Sequence, residues 1–252
     1  MRIEYLYRFP VKGLTAEALE TATLTAGEAM PWDRAFALAQ GDAGFDPANP
    51  RWLMKDNFMC LKQNARIALL RSHFDPRTGQ LAIRAPDGAG ATENALSVDG
   101  RARLGDWLAA YLGPEARGVP RFHHVPGHVF SDSRYKVISL ISLSSLRDFE
   151  AKVGARRHRR RFRANIWFSG APPWAEHDWI GRALQIGGAT LRVTKRIPRC
   201  PATQVNPETG ERDADPVREL RGHYGHVDLG VFAEVVDGGT ISIGDGIEVL
   251  PA

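Results

Sequence analysis

The sequence predicts a mainly β, α+β protein, with closed or nearly closed barrels and few helices. Three observations carry this. Short runs alternate apolar and polar residues, tight glycine turns separate them, and only two stretches show helical spacing. A Pro/Gly-rich break, "PEARGVPRFHHVPG" from residue 114, divides the chain into expected modules of residues 1–115 and 116–252.

In chain order, Ile3, Tyr5, Tyr7 and Phe9 alternate through a first strand, and Phe36 and Leu38 repeat the pattern. "FDPRTGQLAI" (74–83) reads as a hairpin. Its Asp-Pro opens a type I turn, and Gly79 takes the left-handed position that follows. Trp107, Leu108, Tyr111 and Leu112 supply the buried face of a helix over 101–112, stopped by Gly113-Pro114. "KVISLI" (136–141) is a buried strand leading into a second helix, where Leu143, Leu146, Phe149 and Val153 share a face. Ser142 is its N-cap and Gly154 its stop. "FRANIWFSG" (162–170) is the next strand, and Gly187-Gly188 turns a hairpin that pairs Leu184 and Ile186 with Ala189 and Leu191. "NPETG" (206–210) has the form of the turn at 75–79, so it predicts another hairpin and places Cys200 near the start of a strand through Thr203 and Val205. "GTISIGDGIEVL" (239–250) repeats the strand, glycine turn, strand order.

Composition narrows the function. The chain is 43% apolar and 25% charged, as soluble globular proteins are. No run approaches the roughly 18 apolar residues that span a bilayer. The start "MRIEYLYRFPVKG" lacks the apolar core of a signal peptide, so the expectation is a cytoplasmic protein without a membrane span. Basic character is local: "RRHRRRFR" (156–163) holds six arginines, and elsewhere 27 Lys and Arg face 29 Asp and Glu. The run fits a solvated loop or a site for a compact, phosphate-bearing anion. Nucleic acid is disfavoured, because no recognised binding fold or stacking pattern accompanies the run.

The candidate sites are few. His123, His124 and His128 lie in a Pro/Gly loop, and His223 and His226 lack a third partner, which argues against zinc. "PWAEHDWIG" (173–181) reads as a turn clamped by tryptophans. No Walker loop, dinucleotide fingerprint or nucleophile elbow is present. Two cysteines are too few for a disulfide framework or a four-thiolate cluster. Cys60, among Phe58, Met59 and Leu61, reads as packing. Cys200, in "RIPRCPATQ", stands either as a buried small residue or as a thiolate favoured by Arg196 and Arg199 where they turn toward it.

Five segments in order, "LYRFPVKGL", "WDRAFAL", "FRANIWFSG", "RCPAT" followed by "NPETG", and "GTISIGDGIEVL", resemble the two-part MOSC proteins. That family is named for the molybdenum cofactor sulfurase C-terminal domain and includes the mitochondrial amidoxime-reducing component and bacterial homologues. The resemblance implies an N-terminal β-barrel module packed on a MOSC β-barrel with a few helices. It implies a molybdenum–molybdopterin cofactor, with Cys200 as the catalytic cysteine and metal ligand. Lys12, Arg34, Ser142, Arg163 and Asn165 would hold the phosphate and pterin, with Arg199 beside them. The implied activity is reduction of small N-hydroxylated substrates, with electrons from an external donor protein, ferredoxin-like or cytochrome b5-like with a reductase. The alternative is a non-redox carrier of sulfur or cofactor on Cys200. A pyridoxal-phosphate domain is not expected at this length. Three departures stand out: Gly13 replaces the family serine of "PVKS", Ala164 the proline of "FRPN", and Pro201 a branched apolar residue.

Overall fold

The computed structural model describes residues 1–251. The N-terminal part contains β1 (Arg2–Arg8), β2 (Glu17–Leu19), β3 (Thr21–Leu24), β4 (Phe36–Ala39), β5 (Arg71–Asp75), β6 (Gln80–Arg84), β7 (Gly90–Asn94) and α1 (Val98–Leu112). There follow β8 (Arg121–His124), β9 (Ile138–Ser142), α2 (Leu143–Val153), β10 (Ile166–Ser169), β11 (Ala183–Ile186) and β12 (Ala189–Pro198). The chain closes with α3 (Pro216–Tyr224), β13 (Asp228–Asp237), β14 (Gly239–Ser242) and β15 (Ile247–Val249). The mainly β expectation holds.

Eight strands form one curled sheet in the order β15-β11-β12-β13-β9-β10-β1-β2. An Arg2–Gly246 bridge, with bonds from Ile3 N to Asp245 O and from Ile247 N to Met1 O, ties β1 to the segment entering β15. The curl encloses a core of Ile3, Leu6, Leu140, Phe168, Leu191 and Val231 among others. β9 and β10 pair in parallel, with α2 as their crossover. Both of their faces are covered: Leu140 and Phe168 point into the barrel, while Ile141 and Trp167 pack with Phe149 of α2 and Leu220 of α3. That two-sided burial explains why these two strands read as continuous apolar runs.

A second core lies among β4–β8, the β5-β6-β7 sheet and α1, and contains Phe36, Phe74, Leu81, Leu104, Leu108 and Phe122. α1 begins three residues earlier than the spacing suggests, because Ser97 Oγ accepts from Gly100 N and caps it there. The hairpin at 75–80 forms as expected, with Gly79 at φ 76° and its N–H donated to Asp75 O.

Two expectations need correction. The Cys200 segment is not the start of a strand: β12 ends at Pro198, and Pro201–Gln204 forms a short 3-10 turn. Pro201 is suited to the first position of such a turn, since its φ is preset and its missing N–H would have no partner there. The turn at 206–210 does form, closed by Gly210 N to Asn206 O and a Val205–Arg212 bridge. The C-terminal strands also do not pair with each other, since β14 joins β3 and β15 joins β11. Strand pairing also crosses residue 116 in both directions. β1 and β2 complete the C-terminal sheet, and β8 completes the N-terminal one.

Candidate functional site

Where the two cores meet, a cavity of about 270 Å³ opens beside Cys200. Its lining comes from separate segments, and of the residues expected at the site it includes Lys12, Arg34, Arg163, Asn165, Arg199 and Cys200. It also includes Lys55, Lys62, Arg161 and Lys195. The only carboxylates are Asp33 and Asp132, so the cavity is strongly cationic.

Arg34 and Arg163 form its most constrained part. Both take a left-handed backbone, φ 50° and 51°, which costs an L-residue roughly 1–2 kcal/mol. Both guanidinium groups lie over the Phe9 ring, 4.5 and 4.3 Å from its centroid. Arg34 donates to Asp33 and, at 3.0 Å, to Arg163 O; Asp33 in turn accepts from Phe9 N at 2.8 Å. Arg163 Nη1 donates to Leu14 O at 2.7 Å. Its Nη2 is buried without a hydrogen-bond partner among the described residues. Burial, aided by the neighbouring Arg34 charge, pushes the Arg163 pKa down to about 9. A buried cation with a free donor is held ready for an anion.

Lys12, in the turn after β1, donates to Phe130 O at 3.0 Å and to Asp132 at 2.5 Å. Asp132 also lies 3.4 Å from Lys55. Burial would raise the Asp132 pKa, but Lys12 and Lys55 outweigh it and hold the carboxyl below the usual carboxylate range.

Cys200 is half-buried, at the N-terminus of the 3-10 turn, where its carbonyl accepts from Thr203 N and Oγ1. Arg199 anchors this corner, donating to Leu229 O and to Phe162 O. Burial pushes its pKa down to about 9, against the opposing pull of Cys200. With its donors engaged by carbonyls, Arg199 is a clamp that leaves its charge near the thiol. Arg196, by contrast, is exposed and does not line the cavity. Cys60 does line it, and burial raises its thiol pKa.

Asn165 fixes the floor: Nδ2 donates to Tyr7 O, and Oδ1 accepts from Ser139 N and Oγ. The structure places Ser142 elsewhere. Its hydroxyl accepts from Ser144 N, capping α2, and its amide donates to Glu176. Glu176 also accepts from Ser145 Oγ at 2.8 Å, so a buried carboxylate already serves this helix start. Ser142 is absent from the cavity lining, so it leaves the set of candidate phosphate ligands.

The arginine run also differs from a free cationic rim. Arg156 pairs with Glu150, Arg157 with Glu219 and Arg160 with Glu208, while Arg159 donates to Tyr7 Oη and lies over Tyr5. Arg161 turns inward to Asp213 and Gln204 O and lines the cavity. Lys55, Lys62, Arg161 and Lys195 escaped the sequence reading because no local pattern links them. Arg161 alone carried a signal, directly before an expected strand.

Residues 123–248 match the family model of the MOSC domain, and residues 1–113 that of the MOSC N-terminal beta barrel domain. Mitochondrial amidoxime-reducing component 1 of Mus musculus is 29% identical over 123 residues, 44% of this chain and 36% of that protein. Molybdenum cofactor sulfurase of Bombyx mori is 20% identical over 249 residues, 81% of this chain and 30% of that protein. The match thus spans about a third of the length of these curated relatives. The crystal structure of the YUAD protein from Bacillus subtilis aligns with a TM-score of 0.47 and 14% identity, covering 98% of this chain and 94% of that one. No helix among the described residues is long and apolar enough to cross a membrane.

Proposed function

The chain belongs to the MOSC domain family, and from that premise we propose that it is a molybdenum-cofactor-dependent oxidoreductase acting on small N-hydroxylated substrates. The observation that carries the reading is a cation-lined cavity in which Cys200 and the unpartnered Nη2 of Arg163 both stand. These residues suit the group. A soft thiolate matches a high-valent metal, and a phosphate monoester wants converging, fixed cations. Arg163, Arg34 and Lys12 would hold the phosphate, and Cys200 the metal. When bound, the cofactor would supply two-electron oxygen-atom chemistry. The chain's own part is to orient and to neutralise. Arg199 and Pro201 fix where the thiol stands, and Asn165 ties the Arg163 segment to β1 and β9.

Electrons would come from a donor outside these residues, whose two cysteines cannot hold a four-cysteine cluster. The internal pairing of Arg156, Arg157 and Arg160 argues against that run as a steering patch for an acidic donor. It also leaves little free charge for nucleic acid.

Metal and pterin analysis of the purified protein tests the reading, together with benzamidoxime reduction first by a chemical reductant and then by donor proteins. Cys200→Ser should lose metal-centred absorbance and turnover, whereas Cys60→Ser should keep both. Equal metal retention in the two variants would refute the ligand assignment. Loaded protein that reduces no N-hydroxylated compound, yet passes Cys200-bound sulfur to an acceptor, would establish the carrier reading instead.

A further inference from the structure

Of the two carboxylates lining the cavity, Asp33 is engaged by Arg34, and Asp132, which faces Lys12 and Lys55, is placed unequally to its cations. The Lys12 side chain is 7% exposed and fixed by Phe130 O as well as by Asp132, whereas the Asp132 side chain is 49% exposed. The cations are therefore built in, and the carboxylate is the accessible partner. Asp132 sits in the loop between β8 and β9. Within that loop, Ser133 N donates to Ser131 Oγ and Tyr135 N to Ser133 Oγ, both at 3.1 Å. These bonds are local and travel with the loop. Some of its other ties run to the segment before Phe58: Trp52 Nε1 donates to Ser131 O at 3.2 Å, Arg134 lies over the Trp52 ring, and Lys55 approaches Asp132, while Phe130 N donates to Arg34 O and Lys136 pairs with Glu28.

We propose that Asp132 sets the specificity of this cavity for phosphate monoesters and pyrophosphates, because its carboxylate competes with the incoming anion for Lys12 and Lys55. The inference rests on reading the cavity as an anion site and needs no molybdenum. Exchanging one carboxylate for another leaves the charge on the two lysines unchanged, while the ligand loses its freedom of motion. A dianion brings a second charge to the same two cations, in surroundings that screen it poorly. The competition thus rejects carboxylates and other singly charged anions and admits phosphate.

The test uses the whole chain purified free of cofactor, with thermal shift and tryptophan fluorescence read at constant ionic strength against phosphate, pyrophosphate and acetate. The wild type should be stabilised by phosphate and pyrophosphate but not by acetate. In Asp132→Ala the half-saturating phosphate concentration should fall by about tenfold, as loss of one charge-assisted competitor predicts, and acetate should now stabilise. Asp132→Asn, which keeps the side-chain volume, serves if the alanine variant folds poorly and should show the same gain for phosphate. The wild-type fluorescence change with pyrophosphate should be lost in Trp52→Phe. Phosphate binding that is no tighter in either Asp132 variant overturns the specificity role and leaves the anion site standing. Failure of phosphate and pyrophosphate to act on any of the proteins overturns both.

Discussion

Replacing Arg163 with methionine should stabilise the cofactor-free protein and weaken its hold on an anionic ligand at the same time. The side chain is a largely buried cation beside a second one, and burial brings its pKa well below the ordinary guanidinium range, to about 9. That drop corresponds to at most about 5 kcal/mol of penalty on the charged form. Methionine matches the length, packs on Phe9 and carries no charge. It also keeps the left-handed backbone strain, so that contribution cancels. Lost in exchange are the bond to Leu14 O and the cation–π contact with Phe9, together about 2–4 kcal/mol. The net expectation is a gain of about 1–3 kcal/mol, each worth about 2–4 °C in Tm for a chain of this size.

Ligand retention should move the other way, by at least tenfold, because the variant lacks the charged Nη2 that has no other partner. The pH dependence supplies a sign test. The fold penalises the charged guanidinium, so the wild type gains stability as pH rises through about 9 toward the unfolded value. Arg163→Met should lack that gain. Thermal melts of both proteins near neutral pH and at about pH 10, with cofactor content measured alongside, decide the matter. A lower Tm with undiminished cofactor content would refute the reasoning.

Gly13→Ser, which restores the family serine, should destabilise the protein by about 1–3 kcal/mol in a denaturant melt and leave phosphate binding no tighter. Gly13 has φ 87°, and a Cβ there would meet Ile67 Cδ1 at 2.8 Å and Met59 O at 3.2 Å. His177→Phe should flatten acid unfolding: burial, with Arg196 and His226 nearby, lowers the His177 pKa to about 4. The unfolded chain therefore takes up a proton below about 6.5 that the fold resists, so the wild type loses up to about 3 kcal/mol between those values. Equal slopes in the two melts would exclude His177 as the cause. Arg159→Ala should retain cofactor like the wild type, because its guanidinium is engaged by Tyr7 and Tyr5 outside the cavity.

The legible parts of the fold were those in which one local pattern decides the outcome. The β5–β6 hairpin follows from Asp-Pro and a left-handed Gly79. α2 follows from a spaced apolar face between Ser142 and Gly154. Alternation cannot reveal which strands pair, and so β14 and β15, drawn together in the sequence by a glycine turn, go to β3 and β11. Long-range pairing also hid the mixing of the two modules, since β1 reads the same whichever sheet it joins. Ser142 shows the limit for site residues. A serine at a helix start offers an anion site only if the helix start is free, and Glu176, thirty-four residues away, is already bonded there.

The cysteine corner shows why the remaining site could be read in part. Pro198 has no N–H to continue the β12 ladder, and Pro201 is preset to open a 3-10 turn, so the chain must change direction between them. Arg199 N donates to Val227 O while its guanidinium reaches Leu229 O and Phe162 O, fastening the bend to β13 and to the segment before Arg163. Two prolines and one clamped arginine thus hold Cys200 at the cavity lining, where Lys55 faces its thiol. The prolines and arginine were visible in four letters of sequence, "PRCP". The carbonyls that engage Arg199, and Lys55 and Arg163 that line the same cavity, come from distant segments, and only the folded chain brings them together.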